Sequence, residues 1–166
     1  MITREDAIEQ SVSDYVRGEL VARGYTVAKV QVREMFPSQD ERATELELTQ
    51  VAIGFNFDDG GKLVEMGSDL TRRVYTIEFW TFGATPTYGR NVANVIRAIV
   101  EDAGGLVPLK DVGTAGQPVI DQLQVLDEGG VRVTRQIASD PLPWDRNVWT
   151  TAVKIEDYYS PALVEN

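Results

Sequence analysis

The chain has 166 residues and a formal net charge of −10, with 26 acidic against 16 basic side chains, 43% hydrophobic and 25% charged residues; this is the composition of a folded globular protein and argues against disorder. It contains neither cysteine nor histidine, which excludes disulfides, thiolate nucleophiles, thiolate or histidine metal sites and serine–histidine triads. A surface of that sign repels a phosphate backbone, so direct nucleic-acid binding is not expected.

No apolar run reaches about 18 residues, and the opening MITREDAIEQ has neither a basic nor an apolar leader region, so neither a membrane span nor secretion is expected. The length suits one domain, assigned to residues 1–159, with a loose tail over 160–166.

In chain order, Thr3 followed by Asp6 approximates a capping box, and Glu5 and Asp6 favour the positive helix end. The apolar residues Ala7, Ile8, Val12, Tyr15, Val16, Leu20 and Val21 then keep a helical stripe that Gly24 ends. A short strand is predicted over residues 25–32. MFPSQDER reads as an exposed polar loop broken by Pro37. From Thr44 to Phe57 apolar residues nearly alternate, with a slip around Gln50 that suggests a β-bulge. Asp58, Asp59, Gly60 and Gly61 form a turn, and the chain returns from Lys62 to Phe82, interrupted at 67–69, completing a long hairpin.

The returning strand carries Val74, Tyr75, Ile77, Phe79, Trp80 and Phe82, a composition that fits a central, largely buried position. Thr85 stands where an N-cap belongs and Pro86 at the first helical position. Val92, Val95, Ile96, Ile99 and Val100 form the buried face of that helix, with Gly104 and Gly105 as its stop. LVPLKDVGTAGQP reads as a connection or mobile loop. A second hairpin is expected from Val119–Leu126, the DEGG turn and Val131–Ile137, followed by the loop SDPLPWDRN and a last strand over 148–158. The order α-β-β-β-α-β-β-β favours an α+β fold, a largely antiparallel sheet with two main helices packed on one face.

Few residues carry chemistry. Asp58 and Asp59 are too few oxygen donors for a calcium or magnesium cage and suit a turn. Asp69 and Glu78 could act as a carboxylate pair only if they converged. Glu78, a charge inside an apolar strand, must face solvent, a partner subunit or a cation. No phosphate-binding glycine motif occurs. Arg72, Arg73, Arg132 and Arg135 could pair with the acidic surface of a neighbouring copy, or lie on a solvated strand face. Trp144 and Trp149 are aromatic anchors for an interface or for the core. No catalytic residue, cofactor or metal site is expected.

The helix ITREDAIEQSVSDYVRGELVARG, the strand VYTIEFWTFG running into PTYGRNVANVIRAIVEDAGG, the segment QLQVLDEGGVRVTRQ, the PLPWDRN loop and the strand VWTTAVKIEDYY together resemble the tail terminator proteins of long-tailed bacteriophages, also called minor tail or head-to-tail joining proteins. LVPLKDVGTAG departs from that pattern. The resemblance implies a structural virion protein without catalysis or cofactor. It would assemble as a ring, usually of six copies, at the head-proximal end of the tail, forming in the host cytoplasm. Its partners would be further copies of itself, the tail-tube protein and the head connector or completion protein, with no membrane. Six copies carry 6 × −10 = −60 formal charges, so DNA would pass the lumen without specific binding. The hairpin tip at Asp58, Asp59 and Lys62, and residues 106–117 with Lys110 and Asp111, are the expected contacts to tube or connector. The alternatives are another neck protein (tail-completion or connector-stopper), a tail-tube subunit, or a small carboxylate-dependent enzyme or ligand-binding module.

Overall fold

The structure, a computed structural model, describes residues 3–33, 35–57, 62–63, 71–102, 106–125 and 131–159, with the backbone alone for 55–57, 62–63, 71–72, 106 and 158–159. The Asp58–Gly61 turn, the 67–69 interruption, Gly104 and Gly105, the DEGG turn and the C-terminal tail lie outside the described residues.

Helix α1 spans Arg4–Ala22. Its capping box forms as expected: Thr3 Oγ1 accepts from the Asp6 amide at 3.1 Å, and Asp6 Oδ2 accepts from the Thr3 amide at 3.2 Å. It ends in a Schellman motif, with the Tyr25 amide donating to Leu20 O at 2.8 Å and that of Gly24 to Val21 O at 3.0 Å. Gly24 takes the left-handed φ of 90° that this motif requires and that a Cβ would strain. Helix α3, Pro86–Asp102, starts at Thr85, whose Oγ1 accepts from the Tyr88 amide at 3.1 Å.

The sheet comprises β1 (Val30–Arg33), β2 (Thr49–Phe57), the two-residue β3 (Lys62–Leu63), β4 (Thr71–Phe82), β5 (Leu106–Lys110), β6 (Val119–Val125), β7 (Val131–Gln136) and β8 (Val148–Tyr159). Its order is β1-β2-β4-β8-β6-β5, with β3 paired to β4 and β7 to β8. Among the described residues only β1 and β2 pair in parallel; the other pairs are antiparallel. The fold is thus the expected α+β arrangement. α1 and α3 contribute Ile8, Val12, Val16, Leu20, Val92, Ile96 and Ile99 to one core with Val51, Ile53, Tyr75, Ile77, Phe79, Val153 and Ile155 from a single sheet face. Period-two alternation along β4 sends Glu78, Trp80 and Phe82 to the opposite face.

Five local expectations are corrected. Residues 27–29 form a turn, not a strand, because the amides of Lys29 and Val30 both donate to Thr26 O. No bulge occurs at Gln50: the β2–β4 register runs unbroken from Gln50↔Phe82 to Phe57↔Tyr75. The alternation slipped because residues 44–48 precede the strand, on the crossover from β1, where Leu46 packs on a second small core of Ala52, Phe82, Trp144 and Val148. MFPSQDER contains the one-turn helix α2, Gln39–Arg42, capped by Ser38, and Phe36 lies edge-on to Trp80 at 5.4 Å. LVPLKDVGTAGQP is not merely a connection: its first five residues are β5, which forms a hairpin with β6.

The fifth correction concerns the second hairpin. β6 and β7 do not pair with each other among the described residues; both run antiparallel to β8 along the same edge, Val125 opposite Ile155 and Val131 opposite Val153. They lie end to end along β8, Val125 and Val131 falling opposite positions two residues apart. A glycine pair permits a tight reversal but does not impose one; the open edge of β8 offers both segments a longer ladder.

Candidate functional site

The sheet carries two surfaces that α1 and α3 leave uncovered: the face opposite them, and its outer strand edges. On the open face Gly54, Glu78, Ala152 and Arg132 stand in one row across four strands. Small residues flank Glu78, and the half-buried carboxylate accepts from Trp80 Nε1 at 3.0 Å. Glu78 therefore satisfies the sequence argument by pointing away from the main core. At one end of this face the β1–β2 crossover and the 3-10 helix Pro143–Asn147, which carries Trp144, cover Phe82, leaving a cleft of about 250 Å³ lined by Phe36, Trp80, Phe82, Arg42, Asp145 and Ile137. That is smaller than the ~300 Å³ at which drug-sized ligand sites begin.

The predicted site residues do not converge. Asp58, Asp59 and Asp69 lie outside the described residues, as do the side chains of Lys62 and Arg72, whose backbones pair between β3 and β4. Arg73 is engaged within its own chain, donating to Glu5 Oε1 at 2.6 Å. Asp111 builds a turn, accepting from the Gly113 amide at 3.2 Å and from Thr114 Oγ1 at 2.6 Å. The Lys110 amide donates to Ser11 Oγ at 3.0 Å, tying β5 to α1. Trp144, proposed for an interface, is only 6% exposed and packs against Phe82 with ring centroids 5.8 Å apart. The Arg33 guanidinium lies 5.7 Å from its ring centroid, so it is a core anchor. Arg132 and Arg135 are exposed on β7 and make no ion pair among the described residues.

Sequence reasoning missed a buried polar cluster. Arg4 grips Asp157 through Nε at 2.6 Å and Nη2 at 2.7 Å and also donates to Asp121 at 3.2 Å. Asp157 is 1% exposed, a burial that a carboxylate accepts only when paired. Tyr75 lies nearby, its phenol pushed up to about 12, foremost by burial. The cluster pins the start of α1 to β4, β6 and β8. Neither Arg4 nor Asp157 stands out locally, because their separation of 153 residues hides the pairing.

Among the described residues no three acidic side chains gather as a metal cage, and no helix is long and apolar enough to cross a membrane. Comparison of the sequence with protein-family models and with curated proteins finds no match.

Proposed function

We propose that this chain is a structural part of a bacteriophage tail, a terminator that closes as a ring on the head-proximal end of the tail tube, ends its growth and joins it to the head. The observation that carries the reading is an acidic chain whose sheet has helices on one face and, among the described residues, strand edges left open at β1 and β7. Open edges seek strands, and a head-to-tail contact that closes on itself makes a ring. The resemblance noted above supplies the biological setting. Without cysteine or histidine, the chain is assigned no catalytic role in this reading.

Native mass over a concentration series, followed by negative-stain imaging with and without the cognate tail tube, tests it. A closed ring of several copies around a central hole, seated on one tube end and limiting tube length, is expected. A compact dimer with a deep ligand pocket would overturn the proposal. Co-purification with heads in place of headless tails would transfer the chain to a connector-stopper role.

A further inference from the structure

Besides the two-residue β3, three strands have an outer edge among the described residues, and they differ. β5 is a poor docking edge: Pro108 lacks an amide hydrogen, and the Lys110 amide is already bound to Ser11 of α1. The outer edges of β1 and β7 have no strand against them among the described residues. Of the seven large apolar side chains exposed among the described residues, three flank these two edges: Val27 and Met35 around β1, and Ile137 just beyond β7. Val27 is 74% and Ile137 84% exposed.

The edges are also complementary in direction and charge. β1 runs with β2, β2 against β4, β4 against β8, and β8 against β7, so β1 and β7 point in opposite directions. A second copy rotated about an axis along the strands would thus set its β1 antiparallel to β7 of the first. That pairing brings Ile137 to the Val27 end of the neighbouring β1. The β7 segment 131–137 carries Arg132 and Arg135 and no acid. Segment 27–47, which holds β1 and its crossover, carries three basic residues against five acidic ones, 3 − 5 = −2. Asp40, Glu45 and Glu47 in it are exposed, without an ion pair among the described residues. The crossover lies over the open face, where Leu46 packs on the small core of Ala52, Phe82, Trp144 and Val148 and Phe36 meets Trp80. Arg132, in the Glu78 row, emerges on that same face.

We infer that the copies of this chain join head to tail through these edges, β7 of one pairing antiparallel with β1 of the next, Arg132 facing the acidic crossover and Ile137 covering Val27. The inference rests on the reading of the chain as a self-assembling ring and names its contact; it does not require the tail.

A charge swap tests it. Arg132→Glu with Ile137→Asp spoils the β7 edge, and Asp40→Lys with Glu45→Lys and Glu47→Lys spoils the β1 side. These residues are exposed, so circular dichroism and melting should match the parent. Sedimentation should show each variant alone weakened in self-association by about 100-fold, and an equimolar mixture of the two restored, because each bad edge then meets its opposite charge. Assemblies that persist in both variants would overturn the edge contact while leaving a ring of another geometry standing. Failure of the mixture to recover, or a parent chain that stays monomeric at roughly 1 mM, would overturn it as well. Rings that form normally yet never seat on a tube would instead sink the tail role and leave the contact intact.

Discussion

Replacing Arg4 with methionine keeps the length and helix propensity of the side chain but removes the partner of a carboxylate that is 1% exposed. Asp157 then loses two charge-assisted bonds of 2.6 and 2.7 Å with little water to replace them. Removing one partner of a buried pair costs about 3–5 kcal/mol, because an uncompensated charge is left inside. The reverse change should cost less. In Asp157→Asn the guanidinium, 11% exposed, keeps Asp121, itself 45% exposed, so about 1–2 kcal/mol is expected. The double variant Arg4→Met with Asp157→Asn should be more stable than Arg4→Met alone, since no buried charge remains. Urea unfolding at neutral pH measures all three; for a chain of this length the Arg4→Met loss corresponds to a melting shift of roughly 6–20 °C. An Arg4→Met cost below about 1 kcal/mol, or a double variant no better than that single one, would refute the view that burial of the Asp157 charge sets the magnitude.

Gly83 and Gly89 clamp the end of β4 to the start of α3: a Cβ on Gly83 would stand 2.6 Å from Gly89 Cα and 2.8 Å from Thr85 O. Gly83→Ala should therefore cost about 2–4 kcal/mol. Gly18→Ala, in α1 with nothing within 4 Å, should add about 0.5–1 kcal/mol of stability, both read by thermal unfolding. Trp144→Ala empties the small core beneath Phe82 and should cost about 3–5 kcal/mol; a near-neutral result in denaturant unfolding would favour the interface alternative for Trp144 over the core one. The raised Tyr75 phenol adds stability that is full below its unfolded pKa near 10 and is lost as pH rises through about 12. Stability should accordingly fall more between those two pH values in the parent than in Tyr75→Phe, with tyrosinate absorbance tracking the transition; parallel curves would contradict it.

What the sequence determined by itself were features whose cause lies within a few residues. The Thr3–Asp6 capping box, the Gly24 stop, the Thr85–Pro86 start of α3 and the alternation of β4 follow from local hydrogen bonds, backbone freedom and side-chain period. So do the two amphipathic helices and, from their order, the layer they form on one sheet face. Only the tertiary structure decided which strand pairs with which. DEGG was compatible with a reversal, yet β6 and β7 both lie along β8 because the ladder available there, from Val148 to Glu156, outweighs a local turn. The same holds for LVPLK, whose strand state depends on the β6 partner beside it. The surface residues singled out were sorted by partners remote in sequence: Arg73 to Glu5, Trp144 into a core with Phe82, and Arg132 left open on an edge. A partner 68 residues away for Arg73, and one 153 residues away for Arg4, leaves no periodic trace, since long-range pairing is settled by the competition of edges, charges and burial once the elements meet.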